Sequence, residues 1–169
     1  TGGGSTGYAD GSGISAQFNF PSAITNTKDS LFVADTCNNI IRRVDLVTKV
    51  VTSLLPPEPG CGSGSSDSDK LKEPVDLTVT VDLTTNRDYL YIADKENFVI
   101  KRTDLEECEE QGWTNCTFDK IINLNSQPIS VIADGLYLYV GTGDNKIHRY
   151  NLNGVLTNSN PFPILAISP

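Results

Sequence analysis

Leu31–Leu46 reads LFVADTCNNIIRRVDL, Leu90–Leu105 reads LYIADKENFVIKRTDL, and Leu138–Leu152 reads LYVGTGDNKIHRYNL. This is one phrase stated three times, the last copy a residue shorter. A proline precedes each copy (Pro21, Pro74, Pro128) and opens a β-rich stretch: SAIT, VDLTVTV and ISVIA. An internal repeat makes the array of units, rather than a single active site, the first object of study.

Each copy divides into strands. Leu31-Phe-Val-Ala and Leu90-Tyr-Ile-Ala are apolar, β-branched and aromatic, and Ile40–Leu46 and Val99–Leu105 follow as hairpin partners. The connections Asp35-Thr-Cys-Asn-Asn and Gly141-Thr-Gly-Asp-Asn carry turn residues. A strand precedes each hairpin (Ser22–Thr25, Asp76–Val81, Ile129–Ala133), and another follows (Lys49–Leu54, Phe118–Leu124, Gly154–Thr157). No stretch has a helical period; Leu105–Gly112 is the one helix-friendly run, short and acidic.

Four antiparallel strands per repeat describe a β-propeller blade, which usually needs ~40–50 residues. The copies begin at positions 31, 90 and 138. The longer first interval holds two insertions, the Gly/Ser/Asp-rich loop 56–70 and the Cys-containing excursion 106–117.

The residues Val33-Ala-Asp-Thr-Cys-Asn-Asn-Ile-Ile-Arg-Arg-Val-Asp-Leu46, continuing into Thr48-Lys-Val-Val-Thr52, resemble the NHL-repeat β-propellers. Gly7-Tyr-Ala-Asp-Gly-Ser-Gly-Ile-Ser-Ala-Gln-Phe-Asn-Phe-Pro21 looks like that family's connection between blades. The second copy is looser. The third lacks the aspartate that Asp35 and Asp94 supply, and Cys37 stands where the family commonly has glycine.

The expected architecture is all-β: one partial propeller domain over 1–169, an arc of about three four-stranded antiparallel blades. Residues 1–20 are an inter-blade connection, 21–55 blade one, 56–73 a loop, 74–124 blade two and 125–160 blade three. Residues 161–169 start a further blade or form a closing strand. Closed propellers usually have roughly four to eight blades, and repeat arrays need their terminal faces covered. A chain that starts inside a connection and holds no Met is expected to be part of a larger propeller. Association of copies into a homo-oligomer is the alternative.

Four cysteines allow three connectivities, and spacing alone does not choose. Propeller topology does. The second-to-third turn and the inter-blade connection share one face; the other turns share the opposite face. Cys37 and Cys61 fall on the first, and Cys108 and Cys116 fall together in one connection of blade two. The expected pairs are therefore Cys37–Cys61 and Cys108–Cys116, each contributing roughly 2–4 kcal/mol. Disulfides imply an oxidising compartment, hence an extracellular or cell-surface location; a cytoplasmic protein with free thiols is the alternative. Asn115-Cys-Thr117 is an N-glycosylation sequon. No long apolar run is present, so membrane insertion is not expected.

Catalytic constellations are missing from the sequence. His148 is the single histidine, aligned with Arg42 and Lys101, and strand alternation places it on a solvent-facing position opposite Ile147. The resemblance includes zinc-dependent lyases, but their metal site needs several histidines. No GxSxG, HExxH or P-loop pattern occurs. Asp67-Ser-Asp69 and Glu106-Glu107 read as solvated loops, and Asp10-Gly-Ser-Gly13 and Asp144-Asn145 as turns rather than calcium ligands. No cofactor or metal is expected. Some family members bind RNA through a basic face, but the formal charge of −8 opposes phosphate binding. Arg43, Arg102 and Arg149 occupy one slot in all three copies, which points to a structural job.

The functional expectation is a non-enzymatic module that binds a protein partner through face loops. The candidates are Asp35, Asn38, Asn39, Lys95, Glu96, Asn97 and loop 56–70 on one face, and Trp113 on the other. A fragment of a propeller lyase or hydrolase, or a sensor ectodomain, are the alternative readings.

Overall fold

A computed structural model describes residues 4–56, 58–61 and 70–157. Loop residues 57 and 62–69, and the expected further strand at 161–169, lie outside the described residues. The strands in chain order are β1 (Gly11–Ser12), β2 (Pro21–Asn26), β3 (Ser30–Asp35), β4 (Ile40–Asp45) and β5 (Val50–Ser53). Then come β6 (Pro74–Asp82), β7 (Arg87–Asp94), β8 (Val99–Asp104), helix α1 (Leu105–Glu110) and β9 (Asp119–Asn123). The last three strands are β10 (Pro128–Ala133), β11 (Tyr137–Thr142) and β12 (Lys146–Asn151).

These strands form three antiparallel sheets, ordered β1-β5-β4-β3-β2, β6-β7-β8-β9 and β10-β11-β12. They are three successive up-and-down blades. Registers repeat as the sequence does: Val33 faces Arg42, Ile92 faces Lys101 and Val140 faces His148. A β-bulge follows the opening proline of each blade, as expected of a residue without an N–H to donate.

Two parts differ from the sequence expectation. Residues 1–20 do more than connect: Gly11 and Ser12 pair with Val51 and Val50 as an outer fifth strand on blade one. In blade three, Gly154–Thr157 is no full fourth strand. It makes one bridge, Tyr150 to Leu156, with bonds from Asn151 N to Val155 O and from Thr157 N to Arg149 O. The turn into it is fixed by Gly154 (φ 81°), where a Cβ would collide with the Ile121 carbonyl of blade two.

Turns reuse one device, a carboxylate or amide at a strand end that accepts the next backbone N–H groups. Asp45 takes Val47 and Thr48, Asp134 takes Leu136 and Tyr137, and Asn151 takes Asn153 and Val155. Asp104 caps α1 by accepting from Glu106 and Glu107.

The blades stack through their inner strands β2, β6 and β10. Ser22 Oγ donates to Val75 O (2.9 Å) and Thr36 Oγ1 to Pro74 O (2.8 Å). Asp76 Oδ2 accepts from Ser130 Oγ and Val131 N, both at 2.8 Å. Between blades one and two lie Phe32, Ala34, Ile41, Leu77, Leu90 and Ile92; between two and three lie Tyr91, Ala93, Ile100, Leu138 and Val140. Blade two thus buries both faces of its sheet. At the far side of blade three the pattern stops. Ile147, the counterpart of the fully buried Ile41 and Ile100, is 52% exposed, while His148 is half-buried. The solvent-facing assignment of His148 opposite Ile147 is therefore reversed, because Ile147 points to where a following blade would pack.

Candidate binding face and its buried clamps

The second-to-third turns converge on one face, and those of blades one and two begin with the aspartate of the repeated phrase, Asp35 and Asp94. Asp35 is fully buried. Its Oδ2 accepts from Arg42 Nη1 (2.9 Å) and Asn38 Nδ2 (2.8 Å), and its Oδ1 accepts from Asn19 N (2.7 Å). Arg42, also fully buried, donates further to Gln17 O (2.7 Å), Ala9 O (2.9 Å) and Asp10 Oδ1 (2.7 Å). Asp10 in turn accepts from Ser53 N and Ser53 Oγ. The clamp therefore holds the segment 9–19 against blade one and satisfies backbone groups that would otherwise be buried unpaired.

Blade two repeats the clamp with lysine. Asp94 Oδ1 accepts from Lys72 N (2.7 Å); Oδ2 accepts from Asn97 Nδ2 (2.7 Å) and lies 3.5 Å from Lys101 Nζ. Lys101 Nζ donates to Lys70 O (2.6 Å). Burial pushes the Asp94 carboxyl above its ordinary value, against the pull of the Asn97, Lys72 and Lys101 hydrogen bonds. In blade three, Thr142 and His148 occupy the two slots, and Thr142 Oγ1 donates instead to Asp144 Oδ1 (2.6 Å).

This geometry corrects part of the expected contact surface. Asp35, Asn38 and Asn39 are buried, not displayed. Asn39 donates to Glu58 O (2.7 Å) and Gly60 O (3.2 Å) and accepts from Glu73 N (2.8 Å). Their polarity serves the connections that pass over them. Lys95, Glu96 and Asn97 are half-buried and tied to neighbours: Lys95 to Glu73 (3.0 Å), Glu96 to Gln127 (2.7 Å) and Asn97 to Lys70 O (2.8 Å). The Glu73 hydrogen bond above all raises the Lys95 ammonium.

Two exposed aromatics stand on this face that sequence reasoning missed. Phe20 is 70% exposed and Phe98 is 39% exposed. Both have left-handed backbone, φ 55° and 58°, a region bulky residues rarely adopt. The signal was available: Phe98 occupies the slot filled by Asn39 and Asn145, the residue type that such a turn favours.

The cysteines pair as Cys37–Cys61 and Cys108–Cys116, with Cα atoms 4.2 Å and 4.8 Å apart. The first ties the blade-one turn to the loop above it, beside the bonds from Glu58 N to Asn38 O and Gly60 N to Cys37 O. The second staples the excursion on the opposite face. Trp113 in that excursion is half-buried, not a displayed anchor; its ring packs 6.0 Å from Phe32 and lies under Arg43. Arg102 and Arg149 lie likewise over Tyr89 (4.7 Å) and Tyr137 (4.6 Å). Asn115 is exposed. Among the described residues no three His, Cys, Asp or Glu side chains gather as a metal site, and no helix is long and apolar enough to cross a membrane.

No family model matches the chain, and no curated protein matches it. Solved structures do. A protein of unknown function from Bacteroides thetaiotaomicron aligns at TM-score 0.58 and 17% identity, over 88% of this chain and 33% of its own. Hydrazine synthase of Kuenenia stuttgartiensis aligns at TM-score 0.53 and 18% identity, over 86% of this chain and 36% of its own. The chain spans about a third of the length of these structures. At such identity the likeness concerns fold alone, and with the three blades it defines the class: an incomplete arc of a β-propeller.

Proposed function

We propose that this chain is an arc of an NHL-type propeller acting as a non-enzymatic protein-binding scaffold outside the cell. The observation that carries the reading is the pair of exposed aromatics, Phe20 and Phe98, held in left-handed backbone on a face braced by buried clamps. Apolar side chains displayed on strained backbone suit a partner surface better than an apolar core. Lys95 and Glu96 supply a polar rim. The buried carboxylates Asp35 and Asp94 are committed to Arg42 and Lys101, which supports a structural rather than catalytic use. The repeated Asp–cation clamp supports the NHL reading, and the two disulfides support an oxidising location.

A photo-reactive group at position 98, or at Glu110 on the opposite face, tests the reading in protein from its native source. The expected result is a cross-link to a second protein from position 98 and none from position 110. Equal labelling from both, or none from position 98, overturns it.

A further inference from the structure

Asn115-Cys116-Thr117 lies in the excursion that leaves α1 and returns as β9. The chain turns there through Gly112 (φ 84°) and Trp113 (φ 51°). It is held from below by Trp113 packed on Phe32 and by Cys116 bonded to Cys108. The three residues alternate: Asn115 is exposed, Cys116 is buried and Thr117 is exposed. The acceptor amide and the threonine hydroxyl therefore both reach solvent, while the middle side chain anchors the loop. The backbone is irregular, so no strand or helix pairing shields it. No other Asn-X-Ser/Thr triplet occurs in the chain.

The second observation is independent. Two disulfides with no free cysteine mark a chain that folds in an oxidising compartment, where N-linked transfer to such triplets takes place.

We infer that Asn115 carries an N-linked glycan. In the transfer, the Asn115 amide nitrogen displaces the pyrophosphate from the reducing-end C1 of a lipid-linked oligosaccharide. A C–N bond forms, the C–O bond to pyrophosphate breaks, the lipid pyrophosphate leaves, and the amide gives up one proton; no atom changes oxidation state. The glycan covers the excursion face and leaves the face of Phe20 and Phe98 open.

Mapping the reduced Thr103–Lys120 peptide of native-source protein tests this, before and after N-glycosidase. The expected peptide carries a glycan whose enzymatic removal leaves aspartate at position 115. In chain secreted by a eukaryotic host, Thr117→Ala abolishes the glycan mobility shift and Thr117→Ser retains it. Native-source peptide with unmodified Asn115 overturns the inference. So does a glycan on the peptide that resists the enzyme and survives Thr117→Ala.

Discussion

The Arg43 guanidinium lies 4.3 Å from the ring centroid of Trp113, although one belongs to β4 of blade one and the other to the excursion of blade two. The reason is a substitution in the repeat. Arg102 and Arg149 cover Tyr89 and Tyr137 of their own blades. The corresponding position of blade one is Ser30, which offers no ring. The insertion in the next blade supplies Trp113 instead, so the excursion completes blade one's packing.

Trp113→Ala should therefore destabilise the fold by about 2–3 kcal/mol, combining a lost cation–π contact with lost apolar burial. Ser30→Tyr, costly alone in a buried position, should recover part of that loss when combined with Trp113→Ala. Urea unfolding of the four chains of the cycle, disulfides intact, gives the coupling; strictly additive effects would show that Ser30 and Trp113 do not share a role.

Lys101→Met should cost about 3–5 kcal/mol at neutral pH, because it strands the buried Asp94 carboxylate without its cation. The pH dependence has a definite sign. Burial raises Asp94 in the folded chain above its ordinary 3.8, so the native state binds that proton more tightly than the unfolded state. Its contribution falls as pH rises between the two values. Removing Lys101 raises the native value further. The penalty of Lys101→Met should therefore shrink in acid buffer, where Asp94 is neutral; a constant penalty would place the damage in packing rather than charge.

Asp45 behaves in the opposite sense. The Thr48 backbone N–H above all, assisted by Val47 and Arg43 and opposed by desolvation, lowers it from 3.8 to about 2. Its contribution is present above the unfolded value and is lost as pH falls through about 2. Asp45→Asn, which keeps the acceptor but not the charge, should show a shallower loss of stability over that acid range than wild type. Parallel acid-unfolding curves would count against the assignment.

Much of the fold was legible because alternation, turn residues and repetition all agree on short antiparallel strands. Both cysteine pairings followed once Cys37 and Cys61 were assigned to one face. The clamp was not legible. Asp35, Asn38 and Asn39 look like solvent-seeking turn residues, yet the connections crossing them bring backbone groups that need buried partners. His148 misled for a different reason: alternation takes the apolar Ile147 as the inward residue, yet Ile147 is exposed and His148 half-buried. Phe98 was hidden in a slot that turn chemistry reserves for asparagine.

Ile147 separates an arc that ends here from one that continues. In this chain, truncating Ile147 to alanine should change stability by no more than about 0.5 kcal/mol, as for an exposed site. Ile100→Ala, at the same repeat position but fully buried, should cost about 2–5 kcal/mol. If this sequence is a piece of a longer protein in which a further blade packs on β11 and β12, the two costs converge there, since Ile147 then occupies the environment of Ile100. Unfolding both variants in the isolated arc and in the parent protein decides the matter. A cost at Ile147 that stays near zero in the parent would mean that no blade covers this face.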